Sequence, residues 1–320
     1  MNSKVRFVEI TASADGQRID NFLLKTLKGL PKSRLYRIIR KGEVRVNKKR
    51  IKPEYKLKLG DQVRIPPIRL EADNEGEIKI PGDLLARLEA SILFENDAII
   101  ILNKPSGLAV HSGSGLRYGA IDALRVMRPD IDIELVHRLD RDTSGCLLFA
   151  KTRVALLAMQ SLFQSSRLRK TYQAIVKGLW DGKVTRILSP LLKQTMPNGE
   201  RRVYVDEHGQ KADTEIVAAQ HFCAGGLDFS LLTIRLWTGR THQIRVHCQS
   251  QGHEIGGDAK YGDRIFNREI KRLGAGRLLL HAEQLEIPQN DHTKELKIIA
   301  PSPQEFELLT QSRAPSNKPS

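Results

Sequence analysis

The most constraining feature of this 320-residue chain is a break in its charge pattern. Residues 1–70 carry 19 Lys plus Arg against 6 Asp plus Glu, a net of +13 out of +15 for the whole sequence. An acidic stretch with Gly and Pro follows, EADNEGEIKIPGD from Glu71 to Asp83, with little hydrophobic periodicity. A compact fold does not place such a tract in its interior, so a short basic module is expected ahead of a longer second domain. The expected division is residues 1–70 as the module, 71–90 as linker, 91–305 as a larger domain and 306–320 as a disordered polar tail.

An excess of cations this concentrated points to a polyanionic partner, and RNA, DNA and anionic membrane surfaces all fit it. No apolar run is long enough to span a bilayer, and the start MNSKVRFVEI lacks a secretory apolar core, so a cytoplasmic protein without membrane contact is expected. Cys146, Cys223 and Cys248 are odd in number and lack CxxC spacing, which argues against a disulfide framework or a zinc ribbon. Aromatic residues make up 5%, so any base stacking rests on a few rings.

Within the module, PKSRLYRIIRKG predicts a helix capped by Ser33 and ended by Gly42, with Leu35, Ile38 and Ile39 facing inward. Arg34, Arg37 and Lys41 then share a solvated stripe at phosphate-like separations. Val44 and Val46 alternate as a short strand, Lys48 and Lys49 lie in the basic turn NKKR, and GDQVRIP closes with another strand. A charge run on one helix is commonly just a solvated face. Here the bias extends over the whole module, which RIDNFLLK, SRLYRIIRKG, VRVN and GDQVRIP make similar to the S4-type RNA-binding domain.

In the larger region, HRLDRDTSG (His137 to Gly145) sits between the apolar runs IDIELV and CLLFAKT, placing its charges on a turn between buried segments. Asp140 between Arg138 and Arg141 suits a carboxylate that works ionised, as nucleophile or base, and equally an ion pair that fixes a loop. The aspartic-protease turn requires a second carboxylate turn, and none is present. His111-Ser112-Gly113-Ser114-Gly115 does not supply the GxSxG of a serine hydrolase. His242, His247, Cys248 and His253 match no usual metal-ligand spacing and lie among Arg240 and Arg245, so no metal is expected. LLTIRLWTG predicts a strand with Leu232, Ile234 and Leu236 on one face, and THQIRVH opens a helix with Arg245 in its first turns. RLRKTYQAIVKG places Lys170 and Tyr172 at the start of a strand, where the ring suits either a base or a core edge.

In order and spacing, KPSGLAVH, HRLDRDTSG, RKTY, GRTHQIRVH, GDAKYG and RLLLHA resemble the successive motifs of the RluA-type pseudouridine synthases across residues 91–301. The resemblance implies an α+β chain: a small S4-type domain, then a catalytic domain built on a mixed, mostly antiparallel sheet flanked by helices and loops. It further implies conversion of uridine to pseudouridine in large-subunit (23S) ribosomal RNA or a pre-ribosomal particle, by base flipping and without a cofactor; a monomer is expected. By position, Asp140 is then the nucleophile, attacking the ribose or the base, or a group that acts first as a base; Tyr172 packs on the target ring and takes part in proton transfer, and Arg245 pairs with Asp140, with Arg240 as a competitor for that pairing. Arg138 fills the stack left by the flipped base, and Arg240 and Lys170 join the module's cations in holding RNA. Lys104 and His111 are framework or cleft residues. A non-catalytic RNA-binding ribosome-assembly factor is the alternative from another class, and a hydrolase lacks the second carboxylate needed to activate water.

Overall fold

The computed structural model describes residues 5–27, 30, 32–68, 80–112, 118–197 and 199–311, with the side chains of Ser13 and Lys32 not described. The chain divides into two compact units, Met1–Lys79 and Ile80–Ser320.

The first unit packs helices Ile19–Thr26 and Lys32–Arg40 on a four-stranded sheet ordered Arg6–Glu9, Gln62–Ile65, Arg45–Val46, Lys49–Arg50. Leu35, Ile38 and Ile39 are buried with Val44, Val46, Val63 and Ile65, as the helical and alternating patterns predict. The second helix begins at Lys32, so Ser33 lies inside it rather than capping it. Its far end matches the expectation: Gly42 is left-handed (φ 70°), and Gly42 N–H and Glu43 N–H donate to the carbonyls of Ile39 and Ile38, closing the last turn. Asn47 and Lys48 both take positive φ, forming the two-residue turn of a tight hairpin that leaves Lys48 and Lys49 exposed.

The second unit is built on a mixed sheet of ten strands among the described residues. Its main path runs Arg186–Ile187, Thr214–Ala224, Leu227–Leu236, Arg169–Lys177, Leu280–Ile287, Ser144–Ala150, Ile99–Lys104, Ile92–Glu95, with Glu134–Leu135 and Leu296–Ile299 pairing beside it. Every pairing is antiparallel except Leu280–Ile287 on Ser144–Ala150. Every residue of Ser144–Ala150 is buried because both faces of the sheet are covered. Leu147 and Phe149 join one apolar core, whereas Cys146, Leu148 and Ala150 join another.

Two expected boundaries are corrected. Gly82–Ala90, expected as linker, is a helix whose Leu88 is fully buried in the second unit's core, so only the part of that linker up to residue 79 lies outside the unit. The expected tail begins inside helix Gln304–Thr310, where Phe306 and Leu309 are buried. Both helices carry their apolar residues at helical spacing, a signal masked by acidic and polar neighbours. Residues 71–79 of the expected linker and 312–320 of the expected tail lie outside the described residues.

Candidate active site

Asp140 stands on the loop between strands Glu134–Leu135 and Ser144–Ala150. A buried cation holds that loop. Lys104, at the end of strand Ile99–Lys104 and fully buried, donates from Nζ to the carbonyls of Pro105 (2.9 Å), Leu108 (2.9 Å) and Arg141 (2.8 Å). Burial lowers its ammonium to about 7. Gly107 N–H also donates to Arg141 O, and Ser106 Oγ to Asp142 O, so the carbonyls following Asp140 are satisfied from one side. Of the two open roles for Lys104, framework is the observed one.

The partner of Asp140 comes from a distant part of the chain. Helix Gln243–Ser250 follows the expected strand Leu227–Leu236, and His242 at its N-cap adopts left-handed geometry (φ 54°). Arg245 in the first turn donates from Nη1 to Asp140 Oδ2 at 2.9 Å. Its other edge is held by Asp258, Nε to Oδ2 at 2.7 Å and Nη2 to Oδ1 at 2.8 Å, in a two-pronged pair buried away from solvent. Burial opposes the Arg245 charge, but the bonds to Asp258 and the charge of Asp140 raise its pKa. For Asp258 burial likewise acts against the charged form, and Arg245 with the N–H groups of Lys260 and Tyr261 lowers the pKa. The Tyr261 ring lies 5.1 Å from the Arg245 guanidinium, and its hydroxyl is 2.8 Å from His242 Nδ1. His242 Nε2 stands 3.8 Å from Asp140 Oδ2. Both basic groups therefore approach Oδ2, and among the described residues Oδ1 accepts no hydrogen bond.

The cations next to Asp140 in sequence do different work. Arg141 pairs with Asp142 (3.0 Å), and Arg138 is exposed. Arg240, the expected competitor of Arg245, donates to Lys211 O instead (3.1 Å). The four residues of the rejected metal reading do not converge: His247 bonds Thr214 and Ser189, His253 bonds Lys177 O, and Cys248 is buried in the core.

A cleft of about 1020 Å³ opens over Asp140, lined also by His111, Arg138, Lys170, Tyr172 and Arg240. Tyr172, in strand Arg169–Lys177, is buried to 7% exposure, and burial together with the Asp140 charge raises its hydroxyl pKa, so the group remains a proton donor at neutral pH. Lys170 Nζ sits 5.0 Å over the Phe163 ring, and burial lowers it to about 8. The cleft thus combines a carboxylate with one open oxygen, a buried phenol and a rim of cations. Of the remaining expected RNA contacts, which belong to the first unit, Arg34 is half-buried and Arg37, Lys41, Lys48 and Lys49 are exposed. Sequence reasoning missed Asp258, Tyr261 and the approach of His242. The GDAKYG motif contains the first two, but nothing local marks its aspartate as the anchor of a guanidinium.

Two family models match the chain: "RNA pseudouridylate synthase" over residues 98–250 and "S4 domain" over residues 17–63. Fold, cleft and both matches define an RNA-modifying isomerase carrying a separate RNA-binding domain. The chain is 50% identical to Ribosomal large subunit pseudouridine synthase C of Haemophilus influenzae, over 92% of this chain and 91% of that protein. It is 48% identical to the protein of the same name in Escherichia coli K12, over 93% of each. The solved structure of Human RNA Pseudouridylate Synthase Domain Containing 4 is similar with a TM-score of 0.57 at 25% identity, covering 71% of this chain and 94% of that one. The chain belongs to the RNA pseudouridylate synthase family.

Proposed function

We propose that this enzyme converts specific uridines of large-subunit (23S) ribosomal RNA, free or in a pre-ribosomal particle, to pseudouridine, acting as a cytoplasmic monomer. The observation that carries the reading is the Asp140 carboxylate, with Oδ2 held by Arg245 and Oδ1 accepting no hydrogen bond among the described residues, in a cleft that the buried Tyr172 also lines. A uridine inside a helix is out of reach of such a group, so the target flips into the cleft, and Arg138 at the rim occupies the gap. Asp140 attacks the nucleoside and bonds to it, the N1–C1′ bond breaks, the uracil turns against the Tyr172 ring, a C5–C1′ bond forms, and the bond to Asp140 breaks, returning its electron pair to the carboxylate. The C5 proton leaves and N1 gains one, so atoms and electrons balance with no cofactor or metal. Tyr172, held protonated by its burial, serves the proton movement. Cations of the S4 domain, with Arg34, Arg37, Lys41, Lys48 and Lys49 as candidates, hold the phosphate backbone, while Arg240 and Lys170 do so beside the target.

The expected result is pseudouridine in an unmodified large-subunit rRNA transcript treated with purified protein, read by mass spectrometry, and unchanged turnover in excess chelator. Asp140→Asn abolishes the product and leaves RNA affinity within about threefold, because phosphate contacts dominate binding. Turnover by Asp140→Asn at the native rate would overturn the assignment.

A further inference from the structure

One aromatic group on the cleft rim has no part in the chemistry above. Trp237 follows directly on strand Leu227–Leu236, lines the same cleft as Asp140 and is 41% exposed. The other tryptophan, Trp180, is 2% exposed and spends its indole N–H on Val184 O, as a core residue does.

The Trp237 ring is fixed. Its Nε1–H donates to Glu215 Oε2 at 2.8 Å, its backbone N–H donates to Asp213 O, and the Arg186 guanidinium lies 5.7 Å from the ring centre. Arg186 is itself clamped by Asp213 through Nε (2.9 Å) and Nη2 (2.7 Å). The two carboxylates near the indole are thereby neutralised, Asp213 by Arg186 and Glu215 partly by Arg235 at 3.5 Å, so they do not repel an anionic strand. Cations stand on the cleft side. Lys170 Nζ would lie 3.7 Å from a side-chain carbon placed at Gly239, and Arg240 follows in the chain. An immobilised, half-exposed indole in a cleft that two cations also line matches what a nucleotide requires: a flat apolar face for the base, and positive charge for its phosphate.

We propose that Trp237 is a stacking platform for a nucleobase of the RNA strand flanking the target uridine, with Lys170 and Arg240 taking the adjoining phosphates. Resting on the reading of this cleft as the RNA site, it adds a subsite that selects strand conformation around the target. A ring held in place before binding loses little freedom when a base settles on it.

The chain has two tryptophans and only Trp237 is accessible, so acrylamide quenching of intrinsic fluorescence reports that ring alone. An unmodified large-subunit rRNA transcript should shield Trp237 from the quencher. Trp237→Ala should raise KM about tenfold with kcat within about twofold, and Trp237→Phe, which keeps a ring but not the indole N–H, should recover most of the loss. The proposal is overturned if RNA binds while Trp237 stays as accessible as before, or if folded Trp237→Ala retains the native KM. Should Trp237→Ala fail to fold, shielding in the native chain still decides. Absence of pseudouridine with the native protein would sink the functional reading instead, and RNA shielding of Trp237 would decide the stacking separately.

Discussion

At the residue scale the centre is a chain of charges, Asp140–Arg245–Asp258, in which the middle guanidinium uses one edge for each carboxylate. Asp258 does not line the cleft over Asp140, and its carboxylate is bonded to Arg245, so the role expected of it is positioning. Asp258→Asn keeps one acceptor oxygen but leaves Arg245 with a single charged partner, so kcat should fall at least about tenfold while KM holds, checked by steady-state kinetics. Breaking a buried pair costs about 3–5 kcal/mol when one partner is removed outright, so Asp258→Ala should melt well below Asp258→Asn. Because the Asp258 pKa is lowered in the fold, its contribution is complete above the ordinary aspartate value and is lost as pH falls through the lower folded value. Native melting temperature should therefore drop more steeply than that of Asp258→Asn below about pH 4. Lys170 gives a second pH effect: with burial lowering it to about 8, the cleft loses a cation between pH 7 and 9. RNA affinity at fixed salt should decline over that interval, and Lys170→Arg should flatten the decline. That Asp140 meets Arg245 and shares a cleft with Tyr172 was legible because each sits in a recognisable motif. Asp258 was not, since its partner is chosen by how helix Gln243–Ser250 lies against the loop of GDAKYG.

At the element scale the decisive contact is the parallel pairing of Ser144–Gly145 with His281–Ala282, which ties the strand following the Asp140 loop into the sheet. Gly145 has φ 106°, and a side-chain carbon there would run into the backbone of Ala282. Gly145→Ala should cost about 3 kcal/mol or more, seen as an earlier midpoint in denaturant unfolding, with activity falling alongside. The helices Gly82–Ala90 and Gln304–Thr310 show where composition misled: a short apolar face, Leu84, Leu85 and Leu88 or Phe306 and Leu309, suffices for docking when a core offers a place for it. Leu88→Ala should destabilise by about 2–5 kcal/mol, a loss that a linker residue could not produce.

At the scale of the whole molecule, each unit buries its own core, and the charge break near residue 71 marks the division to within about ten residues. Removing residues 1–79 should leave a folded synthase unit whose RNA binding is weaker and less dependent on salt, because phosphate contacts and their released counterions go with the S4 domain. Salt titration of RNA binding checks this. Removing residues 1–90 should in addition lower the melting temperature, since it takes away Leu88.

The sequence by itself determined the two-unit division, the basic character of the first unit, the helical and strand periods that form both cores, and the carboxylate with its motif. These are local or compositional properties, and hydrophobic period and charge count survive without a fold. Tertiary structure decided which cation meets Asp140, because Arg138 and Arg141 are its neighbours in the chain while Arg245 is its neighbour in space. It also decided that Lys104 braces the loop from beneath, that Asp258 holds Arg245, and that Trp237 stands at the rim. Each depends on strands and helices distant in sequence meeting at one end of a sheet, which no local pattern encodes.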